Sequence, residues 1–353
     1  MHDLLTMRSI THSRSTLARA SLFEKVAGLW LGDNAALNAE SQDVMDRLLT
    51  DLIPDVEPFV KAKVATSLSQ CGTAPARLVR ALAHDHDISV AGPILERCKS
   101  LPENELLRLA QSGGVLTRLA LARREALPLQ LAEALCHRRE LAVLRLVAAN
   151  PGARLSRRVF RELTAQAKGD EALCETLLAR SDFPADLAFK VFWWVSPPWR
   201  RAVVERFPVS AAQVDIAQHD LGDQPMDAAI AVKHESQDLS ANVEGATSLL
   251  KALRNGGLRG AVKSLSAAAG IRADTAARII NDKDAEPMAI ALCALGADGT
   301  QLRALVETLD HLRSGPVRTA ASMASLEHVF HAVTQCRAQT ILAIWNVQLR
   351  DRT

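Results

Sequence analysis

The chain has 353 residues, 48% of them hydrophobic and 23% charged, with a net charge of +2. That is enough for one large or two ordinary domains with a buried core, and it is too apolar and too weakly charged for a disordered protein. Aromatic residues make up 4% with no tyrosine, while leucine and alanine dominate, which favours helices over sheet.

Residues 1–15 carry no periodic pattern and are expected to form a flexible N-terminus. No basic stretch followed by an apolar run and a small-residue cleavage site opens the chain, so export is not expected. Helical periodicity begins at Leu17–Leu31 and continues through Ala36–Leu52 and Val56–Gln70, three helices suited to cap the N-terminal end of a helical stack. The longest uncharged run, the 13 residues Val64–Ala76, is too short to cross a bilayer.

A repeat then sets in. Pro75, Pro102, Pro128, Ser156 and Pro184 are 26 to 28 residues apart, and each suits the opening of a helix. The residue before each is apolar (Ala74, Leu101, Leu127, Leu155, Phe183), as is the residue seven later (Leu82, Leu109, Leu135, Leu163, Val191). Seven earlier stand Leu68, Leu95, Leu121, Ala149 and Leu177. Each unit reads as a helix, a tight turn and a second helix, for example Ile88–Cys98 with Pro102–Ala110 and Leu141–Ala149 with Ser156–Ala165. Pairs this short cannot bury their apolar faces alone, so they must stack. The expected architecture is all-α: a right-handed α-solenoid of short HEAT-like helical pairs over 16–220, then a C-terminal helical domain over 221–353. Pro198–Phe207 and Ser210–Gln218 would form a last, degenerate unit.

The composition changes at Asp220–Asp227, which places the expected domain boundary there. Beyond it the pattern predicts helices over Ala228–Ala241, Val243–Leu253, Gly260–Ala269, Ala273–Asn281, Glu286–Leu295 and Gly299–Leu312, with Gly256, Gly257, Gly270 and Gly296 at helix ends. One long helix is predicted from Pro316 to about Leu349. Its stripe Leu326, Val329, Val333, Cys336, Thr340, Ile344 and Val347 must face something apolar, either its own domain or a second copy in a homodimer.

Several strings carry a family resemblance: Leu82-Ala83-His84-Asp85, Val90-Ala91-Gly92-Pro93-Ile94-Leu95, Arg123 before Ala126-Leu127-Pro128, Asn150-Pro151-Gly152-Ala153 before Leu155-Ser156, and Leu177–Pro184. In that order they resemble domain of unknown function 2336, a bacterial family, over about Leu29 to Leu312. The resemblance implies a helical-repeat fold in a cytoplasmic bacterial protein and supplies no activity, substrate or catalytic residue.

Charge is small in sum but polarised. Between Arg118 and Arg161 ten arginines face only Glu125, Glu133 and Glu140, whereas Glu40–Glu57 holds six acids against Arg47 alone. A repeat presents side chains at regular steps, so Arg124, Arg154, Arg157 and Arg158 would form a ladder on a concave face, able to grip carboxylates or phosphates bidentately. The alternative is that these arginines are solvated or pair with the acidic section. Trp193, Trp194 and Trp199 beside Arg200 and Arg201 would either pack between repeats or anchor a partner, and Trp199 and Arg200 join the candidate contacts.

Other constellations are weaker. His84-Asp85-His86-Asp87 reads as an inter-repeat turn in which Asp caps the next helix. His328 and His331, three apart on the last helix with Cys336 near the same face, are weak evidence for a metal site. The helices at 260–269 and 273–281 read as an αα-hairpin, or as a helix-turn-helix in which Arg272, Arg278 and Lys283 would touch DNA. The six cysteines form no CxxC pair and suit buried, reduced thiols in a cytoplasmic protein. No phosphate-binding glycine motif or nucleophile elbow occurs. The sequence therefore points to a non-enzymatic scaffold or adaptor with no cofactor, no metal and no membrane partner, binding a protein with an acidic surface. Nucleic-acid binding through the Arg-rich groove is the alternative, and an enzyme with a pocket at the domain junction the third.

Overall fold

The computed structural model describes residues 16–33, 38–219, 239–313 and 318–348. Every regular element among them is helical; the β feature is an isolated bridge between Leu127 and Ala153. The chain divides into two compact units, Met1–Gln166 and Ala167–Thr353.

The first unit opens with α1 (Thr16–Asp33), α2 (Ala39–Leu52) and α3 (Pro58–Ser69), then continues as α4 (Ala76–Ala83), α5 (Ile88–Arg97), α6 (Glu103–Ser112), α7 (Val115–Ala122), α8 (Leu129–Cys136), α9 (Leu141–Ala149) and α10 (Arg157–Gln166). Pro75, Pro102 and Pro128 stand directly before α4, α6 and α8 as N-cap residues. The ring presets φ there, and its missing N–H removes nothing from the helix ladder. Ser156 opens α10 differently: its hydroxyl accepts the Val159 N–H at 3.3 Å.

The apolar columns become core. Leu82, Leu109, Leu135 and Leu163 are buried, as are Leu68, Leu95 and Leu121. Ala149 departs from its column: it is exposed, and Val147 and Ala148 are buried instead. The connection Asn150–Ser156 is one residue longer than Arg123–Pro128, so the register slips there. Packing follows two alternating rows. Helices α3, α5, α7 and α9 each pack on the next, α6, α8 and α10 do the same, and α4–α5, α6–α7 and α8–α9 pack as pairs. None of these helices is long enough to persist alone in water, so this side-by-side burial is what keeps them folded.

The turns are stitched together as well. Asn150 Nδ2 donates to the carbonyls of Ala122 (2.9 Å) and Arg124 (2.7 Å), while its Oδ1 accepts the Gly152 N–H at 2.9 Å. The Leu127 N–H donates to Gly152 O (3.1 Å) and the Arg154 N–H to Leu127 O (2.9 Å). Two repeats earlier, Ser100 Oγ accepts the Ala74 N–H (3.2 Å) and donates to Gly72 O (3.4 Å).

The second unit comprises α11 (Glu171–Ala179), α12 (Ala185–Val191), α13 (Pro197–Arg206), α14 (Ala211–His219), α15 (Leu239–Ala269), α16 (Ala273–Asn281), α17 (Glu286–Ala294), α18 (Gly299–Leu312), α19 (Ala320–Ala332) and α20 (Gln335–Gln348). Pro184 caps α12, and Leu177 and Val191 are buried, so the repeat register persists into this unit. The predicted boundary Asp220–Asp227 lies outside the described residues. Within the second unit, α12 and α14 both pack on α20.

The stretches 243–253 and 260–269 run as two helices joined at a kink within α15, and Gly257, expected at a helix end, stands at that kink with φ +59 and ψ −157, which suit glycine alone. Most of the helix expected over Ala228–Ala241 falls outside the described residues, as do Pro316 and Leu349. One predicted feature changes in the last helix. The long last helix is broken at Val333, which is extended (φ −116, ψ 131) and whose freed carbonyl accepts the Cys293 thiol at 3.1 Å. Of its stripe, Leu326, Val329, Val333, Thr340, Ile344 and Val347 are buried and Cys336 is exposed. Helices α19 and α20 spend that stripe inside their own unit, against α17, α12, α13 and α14. At the centre lies α17, buried at every residue from Glu286 to Ala294.

Candidate functional site

The arginines between 118 and 161 separate into structural and surface groups. Buried Arg118 holds Glu140 with two bonds of 2.5 and 2.6 Å and donates to Gly113 O at 2.5 Å. Arg124 departs from the expected ladder. Its Nη1 donates to Leu95 O (2.5 Å) and its Nη2 to Cys98 O (2.8 Å), capping the carbonyl end of α5, and burial lowers its pKa from the ordinary guanidinium value. Arg123 pairs with Glu96 at 3.2 Å and Arg139 with Glu162 at 2.6 Å.

Arg154 and Arg158 are exposed and Arg157 is half-buried, all at the opening of α10, where the first turn contains no acid. Cations at a helix N-terminus oppose the macrodipole, so this placement does nothing for the helix itself. Arg158 lines an open groove of about 730 Å³ across α6, α8 and α10, together with Gln111, Gln130, His137 and Arg139. Its floor includes Leu107, Ala134, Cys136 and Val159, and it also contains Glu133 and Glu162. Glu133 is occupied by the Ser156 hydroxyl at 2.8 Å and Glu162 by Arg139.

The acidic section serves its own helices. Asp46 accepts the N–H groups of Arg77 and Leu78, both at 2.9 Å, at the start of α4. Asp43 pairs with Arg47 (2.7 Å) and Arg77 (2.9 Å), and Asp55 with Arg19.

Arg200 is not a surface contact. It is buried, with Nη1 2.9 Å from Asp282, 3.5 Å from Asp284 and 3.4 Å from Glu286, and Nε donating to Val195 O at 3.1 Å. Trp193 stands in a cage with Phe192 and Trp345, with the Arg278 guanidinium 4.3 Å from its ring centre. Trp199 is half-buried in the first turn of α13. Trp193, Trp194 and Trp199 are all half-buried. Sequence spacing gave no sign of Trp345, the residue on which the cage is built.

Glu286 has a consequence for pH. Burial, against the Arg200 charge and with Asp282 and Asp284 adding to it, raises its carboxyl from 4.5 to about 7. A raised acid favours the fold while protonated, so its contribution is complete below pH 4.5 and is lost as pH climbs to about 7. The shift corresponds to about 3 kcal/mol at most. Glu286→Gln is expected to flatten the stability profile between pH 4.5 and about 7 and to raise the melting temperature at pH 8. Parallel wild-type and variant profiles in thermal melts would refute the assignment.

The remaining constellations resolve into structure. Asp87 caps α5 through Ser89 N–H (2.9 Å), Asp85 accepts from Lys61 (3.2 Å), and His84 contacts Glu105 (2.5 Å), making this stretch a turn between repeats. His328 bonds Glu205 at 2.7 Å, and His331 stacks edge-on to Phe330. Among the described residues no three His, Cys, Asp or Glu side chains converge as metal ligands. Arg272 is tied to Asp274 at 2.7 Å and Arg278 lies on Trp193, while Lys283 is exposed beyond α16. All six thiols are free, with Cys98, Cys136, Cys174 and Cys293 buried, and burial pushes Cys136 and Cys174 up to about 12. No described helix is long and apolar enough to cross a membrane.

Residues 90–343 match the family described as an uncharacterised protein conserved in bacteria, DUF2336. The match begins and ends later than the span of the resembling strings, taking in α19 and most of α20. No curated protein matches the chain. No solved structure matches it either. The asparagine–glycine stitch between repeats lies within the matched span, which covers well over half of the sequence, and the chain accordingly belongs to this bacterial family.

Proposed function

We propose that the protein is a non-enzymatic helical-repeat scaffold of the bacterial cytoplasm, HEAT-like and solenoidal in character, that holds an acidic segment of a partner protein across α6, α8 and α10. The observation that carries this reading is the 730 Å³ groove with Arg158 on its wall, beside a helix start that collects Arg154, Arg157 and Arg158 and has no acid in its first turn. The alternating rows of short helices support the solenoid part, since each pair borrows its core from the next. Glu133 and Glu162 in the same groove interrupt the positive charge and confine it to a bounded patch at the start of α10, which weighs toward a segmental protein ligand rather than a continuous phosphate backbone. The high thiol pKa values of Cys136 and Cys174 weigh against cysteine nucleophiles.

Arg154→Glu combined with Arg158→Glu is expected to weaken capture of an acidic partner at least tenfold, with helicity and melting temperature unchanged, because both side chains are exposed. Undiminished capture by the folded double variant, measured by pull-down from native lysate and titration of the captured protein, would reject this surface. A mobility shift of nucleic acid that weakens steeply with salt would favour the phosphate alternative.

A further inference from the structure

We infer that the partner segment is an acidic amphipathic helix, with its carboxylates on the α10 side of the groove and aliphatic side chains seated in a slot between α6 and α8. This rests on the acidic-segment reading above and adds the second half of the ligand. The slot, about 410 Å³, is lined by Gln111, Ala134, His137 and Arg138. Its wall is largely apolar, because the stems of the long side chains line it along with the Ala134 methyl. Arg138 Nη2 donates to Gln111 O at 3.0 Å, which holds that stem across the slot. Gln111, Ala134 and His137 belong to both slot and groove, so the two are continuous.

Aliphatic surface is also left uncovered at the same end of these helices. Val115, Leu116 and Leu141 are 45%, 58% and 43% exposed at the starts of α7 and α9. Those two starts are neighbours: α7 packs on α9, and Arg118 bonds Gly113 O before one and Glu140 before the other. Uncovered aliphatic side chains grouped beside an apolar slot mark a surface that is covered in use.

Charge and length select the occupant. The α10 side offers Arg154 and Arg158, so the segment must carry acids there, and the α6–α8 side offers aliphatic contact, so it must carry leucine- or methionine-like residues there. The slot between α6 and α8 lies about one and a half packing steps from α10, about 12–15 Å. An α-helix of about 8–10 residues spans that distance, placing its acids and its aliphatic residues two to three turns apart on one face.

The test is fluorescence anisotropy of the full chain with two labelled 14-residue helical peptides. One carries a glutamate cluster at one end and two leucines three turns away; the other has serine in place of both leucines. The leucine peptide is expected to bind at least tenfold more tightly. Ala134→Glu, which fills the slot, and Leu116→Asp, at a site exposed enough not to disturb folding, are each expected to reduce it toward the serine peptide, while Arg158→Glu weakens both. Equal affinity for the two peptides, indifference to both slot variants, or no binding by either peptide at about 1 mM overturns the inference. If Arg158→Glu still weakens binding when the slot variants do not, the acidic-segment reading survives and only the amphipathic half fails. If Arg158→Glu changes nothing, the acidic-segment reading itself falls.

Discussion

Trp345→Ala is expected to destabilise the C-terminal unit by about 4 kcal/mol, the range found when a large aromatic is removed from a packed core. Its side chain is fully buried, with ring centres of Phe189, Phe192 and Trp193 at 6.5, 5.2 and 4.7 Å, and its indole N–H donates to Phe189 O at 3.0 Å. Truncation therefore opens a cavity and removes three ring contacts and the indole hydrogen bond to the Phe189 carbonyl together. For a unit of this size the melting temperature should fall by about 8–16 °C. Trp345→Phe keeps most of the volume but not the donor, so it should recover more than half of the loss. A melting temperature within 2 °C of wild type for Trp345→Ala would show that α20 is not a keystone of this unit.

Gly152→Ala should cost the N-terminal unit about 3 kcal/mol, at the upper end of what overpacking does. A Cβ at this position would sit 1.9 Å from the Glu125 carbonyl oxygen, and the obstacle is backbone, which no rotamer change can move aside. Relief requires the Asn150–Ser156 connection to lift from the connection before it. That would strain the Leu127–Gly152 and Arg154–Leu127 hydrogen bonds and the two that Asn150 makes to Ala122 and Arg124. Because Asn150 is buried, any of these left unmade carries a full desolvation cost. Asn150→Ala gives an independent measure, with an expected loss of about 2 kcal/mol. Thermal melts that leave Gly152→Ala unchanged would mean that the two connections are not in contact in solution.

The same stitch bears on the proposed partner site. Arg154 leaves the Leu127–Ala153 bridge through its own N–H, so loosening Gly152 would displace the start of α10 and the arginines on it. Gly152→Ala is therefore expected to weaken partner capture as well as stability, whereas Arg158→Glu weakens capture alone.

The repeat was legible because it is local chemistry. Proline before a helix, an apolar residue seven positions on and another seven back are all properties of one helix pair, and they placed α5, α6, α9 and α10 to within two residues. It failed at Ala149 for an equally local reason, a connection one residue longer than its predecessor, which spacing from prolines cannot register. The break at Val333 escaped because the apolar stripe runs straight through it; there the Val333 carbonyl accepts the Cys293 thiol and the Thr334 hydroxyl accepts the Arg337 N–H at 3.4 Å to open α20.

Helical class, repeat length and the inward columns follow from residue type and spacing, because those govern which backbone dihedrals are cheap and which faces avoid water. Which arginines reach solvent does not. Arg124 and Arg158 look alike along the chain, yet one ends on the carbonyls of Leu95 and Cys98 and the other on a groove wall. Likewise Arg200, flanked by tryptophans and another arginine, lies among three acids more than eighty residues further along the chain. Long-range partners such as these are fixed by folding, since a charge survives burial only where opposite charges or carbonyls arrive from elsewhere to receive it.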